Sequence, residues 1–173
     1  MDEEQADSFQ ATLGKILELL PQETNFRRHS TKAIPEIVQA LTSAHKVFHW
    51  YLVCDFGGRT GGERSPGLVE QAVAAAFQRF GDYNPYRSHF DKAAAMFRGI
   101  ARGHPFTDGN KRTSFYLVMY YLDNTGYPLP NNLDEQAVVD LCLEVAEGKI
   151  EDVLEISNRL CKLWRRRARR KTT

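Results

Sequence analysis

Apolar residues recur three and four positions apart along almost the whole of this 173-residue chain, and no segment alternates as a strand would outside one glycine-rich stretch. That spacing is one face of an α-helix, whereas a half-buried strand alternates with a period of two. Phe9, Leu13, Ile16, Leu17 and Leu20 make one such stripe, so Asp7–Leu20 is predicted as an amphipathic helix ended by Pro21. Glu23–Ile34 is polar and reads as a linker. Ile37–Leu52 reads as a second helix, with Ile37, Leu41, Ala44 and Phe48 on its apolar face. Asp55–Arg64 carries Gly57, Gly58, Gly61 and Gly62, a density that suits a loop or short hairpin. Ser65 followed by Pro66 is a helix start, predicted to run to about Phe80. Phe90, Ala93, Ala94, Phe97, Ile100 and Ala101 define a helix ending near Gly103. Arg112–Asn124 is so strongly apolar that it is predicted to be the central buried helix, stopped by Gly126 and Pro128. Asp134–Glu147 and Ile150–Trp164 are two further amphipathic helices, divided at Gly148. The fold class is therefore all-α.

Size and charge narrow the functional classes. A chain of 173 residues with 42% hydrophobic and 26% charged residues can bury one sizeable core. No apolar run approaches the ~20 residues that span a bilayer. Met1-Asp2-Glu3-Glu4 is acidic and has no signal-peptide pattern, which points to a cytoplasmic protein with no membrane association. Cys54, Cys142 and Cys161 are far apart and odd in number, as expected of reduced thiols. No Cys or His pair has zinc-ligand spacing with a third ligand in view; His45 and His49, four apart, read as surface or packing histidines. Net charge is +1, but Arg165, Arg166, Arg167, Arg169, Arg170 and Lys171 supply six positive charges, which leaves the rest of the chain at −5. Such a tail is usually solvated and disordered; contact with nucleic acid is a secondary reading, because the body adds no basic patch.

The chemistry is concentrated in His104-Pro105-Phe106-Thr107-Asp108-Gly109-Asn110-Lys111-Arg112-Thr113, where one predicted helix ends and the buried one begins. The imidazole of His104 can take a proton from a hydroxyl near neutral pH. The Asp108 carboxylate can hold Mg²⁺, which binds through one or two carboxylates, substrate phosphates and water. Gly109 permits a close backbone approach or a positive φ. Asn110 can cap the helix or bond a phosphate, and the backbone N–H groups of Asn110, Lys111 and Arg112 make an anion site at the positive end of the helix dipole. Lys111 adds a point charge and Arg112 a two-pronged grip on phosphate oxygens. Phe106 is predicted to anchor the loop in the core, and Pro105 to stiffen it.

This motif resembles the signature of Fic/Doc proteins, in which a histidine, Phe, an acidic residue, Asn and Arg recur at these spacings. Within that superfamily it resembles the Doc (death-on-curing) branch. The usual Fic pattern has Gly where this chain has Lys111, and a second Arg where it has Phe115. Gly57-Gly58, Ser65–Glu70 and Ala101-Arg102-Gly103 extend the resemblance, which covers about Ile37 to Leu163. It implies a compact helical bundle in which residues 37–164 form the catalytic domain, 1–36 an N-terminal helix and linker, and 165–173 the basic tail. Gly57, Gly58, Arg59, Thr60, Gly61 and Gly62 would form a flap that aligns the target chain. ATP and Mg²⁺ are the implied cofactors, with His104, Lys111 and Arg112 catalytic.

The implied function is that of a Doc-like toxin, which transfers the γ-phosphate of ATP to a hydroxyl of a protein target such as elongation factor Tu and stalls translation. An antitoxin in trans restrains it. The alternatives are a Fic-type AMP transferase and, less favoured, an inactive binding module. Lys111 and Phe115 both favour the kinase reading, because a lysine crowds the space that glycine leaves and one phosphate clamp is missing. Many Fic proteins carry their own inhibitory helix, with Ser or Thr four residues before Glu. No Ser or Thr of this chain has Glu at that spacing.

Overall fold

The computed structural model describes residues 6–20, 26–27, 31–55, 58 and 61–165, and within them seven helices: α1 (Ala6–Leu17), α2 (Ile34–Asp55), α3 (Leu68–Ala75), α4 (His89–Gly103), α5 (Asn110–Asn124), α6 (Glu135–Ala146) and α7 (Val153–Arg165). The only strand-like pairing among these residues is an isolated bridge between Phe80 and Tyr83. The all-α expectation holds.

The apolar run of α5 explains its place. Every side chain from Thr113 to Leu122 is buried, and the helix packs against α2, α4 and α6. Its far end stops where Gly126 takes φ 97°, while Thr125 returns its hydroxyl to the Tyr121 carbonyl at 3.0 Å. α4 lies alongside and is fixed at its start by a capping box. The Ser88 hydroxyl accepts from the Asp91 N–H at 3.0 Å, and the Asp91 carboxylate accepts from the Ser88 N–H at 3.1 Å. The other Asp91 oxygen accepts from the Ser157 hydroxyl at 2.7 Å, tying α4 to α7. These bonds outweigh burial and hold the Asp91 carboxyl below its usual range. α1 contributes Leu13 and Ile16 to the core, and Leu20, just beyond its end, joins them.

Several boundaries differ from the sequence reading. α1 ends at Leu17 rather than Leu20, and α2 runs from Ile34 to Asp55 rather than from Ile37 to Leu52. α3 does not start at Ser65-Pro66; its N-cap is Gly67, at φ 85°, and the Glu63 carboxylate accepts the Val69 N–H at 3.4 Å. α3 also ends at Ala75 rather than near Phe80. α7 starts at Val153 rather than Ile150, with Asp152 accepting the Leu154 N–H at 3.2 Å. Gly57, Arg59 and Thr60 of the expected flap, and residues 166–173 of the expected tail, lie outside the described residues.

Candidate active site

The loop between α4 and α5 is built to hold one shape. α4 is capped by His104, whose backbone adopts the left-handed conformation (φ 44°, ψ 56°) while its N–H still bonds Ile100 at 3.2 Å. The turn leaves the His104 side chain exposed. Phe106 then turns inward, 4% exposed, and its ring stacks on His49 of α2 at 3.7 Å between centroids and 14° between planes. His45, one turn earlier on α2, lies against the same ring at 5.7 Å. Asn110 closes the loop from the other side. Its amide donates to the Phe106 carbonyl at 2.7 Å and accepts from the Phe106 N–H at 3.0 Å. The buried Asn110 side chain is thus committed to the loop, and the part it can offer an anion is its backbone N–H.

Asp108 and Gly109 complete the turn. Asp108 Oδ1 accepts the Gly109 N–H at 2.7 Å, and the Asp108 carbonyl faces His49 Nε2 at 2.9 Å. Gly109 caps α5 at φ 80°, a conformation that side chains rarely adopt. A Cβ there would also stand 3.0 Å from Val53 Cγ2. Gly58 also comes close to the loop: a Cβ on it would lie 2.7 Å from Asp108 Oδ2, so a side chain there would displace that carboxylate. The descending arm of the glycine-rich stretch is pinned to the loop as well, the Arg64 N–H donating to the Pro105 carbonyl at 2.7 Å.

Asp108, Gly109, Asn110, Lys111 and Arg112 line one wall of a cleft of about 300 Å³. Phe115 and the α6 residues Val138, Val139, Cys142 and Leu143 form the rest. The cleft therefore joins a carboxylate, two exposed cations and a helix N-terminus to an apolar wall, which suits a ligand carrying phosphates. Burial pushes the Cys142 thiol up to about 12, against the pull of Lys111, so the thiol is neutral and adds to the apolar side. His104 lies outside this lining. A second groove, about 430 Å³, runs beside the same loop. It is lined by Gly61, Gly62, Glu63, Pro66 and Gly67 on one side and by Lys46, His49, Trp50 and Phe106 on the other. Lys46 and Glu63 bridge it at 3.0 Å.

The residues offered for a metal fit Mg²⁺ in one respect. No group of three or more His, Cys, Asp or Glu is gathered among the described residues. Mg²⁺ needs no such cage, because one carboxylate plus substrate phosphates and water suffices, and Asp108 is an exposed carboxylate on the cleft wall.

Sequence reasoning missed two components. The α6 wall is separated from the motif by more than twenty residues and has no local signature. His45 and His49, expected to be surface or packing histidines, are both buried rather than on the surface, and His49 is also bonded to the motif backbone; the spacing of four between them is the only trace in the sequence.

A sequence model of the Fic/DOC family matches residues 29–122. The protein named Toxin Doc from Mycolicibacterium smegmatis is 37% identical over 89 residues, which are 50% of this chain and 68% of that protein. The protein named Protein kinase doc from Escherichia phage P1 is 28% identical over 109 residues, 63% of this chain and 82% of that one.

Proposed function

Because the chain belongs to the Fic/Doc family, in its Doc-like branch, we propose that it is a toxin that transfers the γ-phosphate of ATP to a hydroxyl of a protein target. The observation that carries the reading is the assembly of Asp108, Lys111, Arg112 and the α5 N-terminus on one cleft wall. The names of the two relatives, a toxin and a protein kinase, support it. The target is elongation factor Tu or a protein like it, and the restraining partner is an antitoxin acting in trans.

In this mechanism the first turn of α5, Lys111 and Arg112 bind and orient the triphosphate and stabilise charge on the transferred group. His104 takes the proton of a Ser, Thr or Tyr hydroxyl as its oxygen bonds to the γ-phosphorus. The bond from that phosphorus to the β-bridging oxygen breaks, and ADP leaves. Asp108 would hold Mg²⁺, which when bound neutralises phosphate charge. The glycine-rich stretch, fixed to the loop through Arg64 and Pro105, aligns the target chain.

Incubation with Mg²⁺ and ATP labelled separately at the α and γ positions, with purified elongation factor Tu and a bacterial lysate as acceptors, tests the reading. Label from the γ position on protein is the expected result. Label from the α position makes the enzyme an AMP transferase, and no transfer from either leaves a binding module.

A further inference from the structure

The Asp108–Gly109 peptide is held at both ends. Its N–H is taken by Asp108 Oδ1 at 2.7 Å, and its carbonyl oxygen lies 2.9 Å from His49 Nε2. A carbonyl only accepts, so Nε2 carries the proton and donates. The need for such a grip follows from Gly109. At φ 80° and ψ −2°, with no Cβ to restrict it, Gly109 tolerates more than one orientation of the peptide plane before it. In the present orientation the carbonyl is aimed at α2, while Asp108 and Gly109 form part of the cleft wall. A flip would turn the C=O dipole toward the cleft, against phosphate oxygens, and release the carboxylate from the Gly109 N–H.

The His49 ring is itself fixed. It is 4% exposed, stacked on Phe106, and close beneath Gly109, its Cδ2 and Nε2 at 3.6 and 3.8 Å from where a Cβ would stand. We propose that His49 is a positioning residue that locks the Asp108–Gly109 peptide with its carbonyl out of the anion cleft. The inference rests on the reading of that cleft as a triphosphate site, and it assigns an α2 side chain to the upkeep of that site.

Two measurements test it. Nitrogen-15 NMR of the wild-type histidines should show His49 as the Nε2–H tautomer at neutral pH, and the Nδ1–H tautomer would overturn the proposal. His49→Phe keeps a ring on Phe106 but has no donor, whereas His49→Gln retains an N–H. With thermal unfolding as the check on folding, His49→Phe should exchange its Gly109 amide proton at least roughly tenfold faster and bind MgATP roughly tenfold more weakly in calorimetry. His49→Gln should stay within about threefold of wild type. A folded His49→Phe protein that binds MgATP like wild type sinks the idea. If wild type itself binds no MgATP, the proposed function falls, and the tautomer together with Gly109 exchange still decides the role of His49. If His49→Phe does not fold, the tautomer decides alone.

Discussion

His104 is the side chain on which the proposed chemistry turns, and its backbone dictates how to test it. At φ 44° an alanine would add strain of its own, whereas asparagine tolerates the left-handed region. His104→Asn should therefore leave the melting temperature near wild type and lower transfer by about 10²–10⁴-fold, the usual worth of a general base. Retained transfer in the folded variant removes His104 as the base. His45, one turn from His49, offers a different test. It is fully buried, and neither ring nitrogen has a hydrogen-bond partner among the described groups. Burial first, then the neighbouring His49 and Lys46, lowers its pKa to about 3. The unfolded chain, with a value near 6.5, thus binds one more proton between those limits. Stability is unaffected above about pH 6.5 and falls as pH drops toward 3, by up to about 1.4 kcal/mol per pH unit. His45→Phe should flatten that acid limb while keeping a ring against Phe106. Urea titrations at pH 7, 5 and 4 would show it, and parallel limbs for the two proteins would contradict it.

At the scale of elements, α5 carries both the core and the site, which limits how its chemistry can be changed. Replacing Lys111 and Phe115 by Gly and Arg would restore the Fic pattern on paper. Lys111 is exposed, so that half is tolerable. Phe115 is 1% exposed, with its ring 6.1 Å from Phe97 and 6.2 Å from Trp164. Phe115→Arg buries a charge and removes an aromatic anchor, for a loss of more than about 3 kcal/mol. The double variant should be insoluble or unfolded by circular dichroism rather than an AMP transferase; a folded, active double variant would show that this end of α5 repacks. The same helix shows what was legible in sequence. α4, α5 and α6 were readable because their apolar stripes are unbroken and their ends carry strong stop or start residues. The start of α3 was not, because Ser65-Pro66 has the composition of a cap while Gly67, in a left-handed conformation, is the residue that turns the chain. The cleft wall formed by Asp108–Arg112 is one contiguous segment, and its place at the start of the buried helix could be read directly. The α6 wall and His49 reach it through tertiary packing, which no local pattern records.

For the molecule as a whole the open choice is whether restraint comes from its own N-terminal helix or from a partner. Deleting that helix looks like the direct test, but the packing argues against it. Leu13, Ile16 and Leu20 are 6%, 0% and 6% exposed, and Phe26, just beyond, stands 5.5 Å from Tyr120 and 6.2 Å from Tyr121 on α5. Thr12 also hydrogen-bonds Tyr116, whose phenol burial pushes up to about 12. Each buried aliphatic side chain contributes about 1.5–3 kcal/mol, so the three together approach the whole stability of a typical domain, about 5–15 kcal/mol. Removal of Met1–Glu23 should yield insoluble protein and answer nothing about inhibition. Glu18 is a better handle, because it is an exposed acid on the turn that follows α1. If this segment blocked the cations at the start of α5 through its charge, Glu18→Lys would raise transfer activity several-fold without loss of stability. The expected result is no change, since the helix is occupied with core packing and no Ser or Thr precedes a Glu by four residues anywhere in the chain. Induction of the full-length wild type should then arrest growth, and co-expression of an adjacent open reading frame should relieve the arrest. Activation by Glu18→Lys would place the restraint in cis, and harmless expression of an active wild type alone would count against a partner in trans.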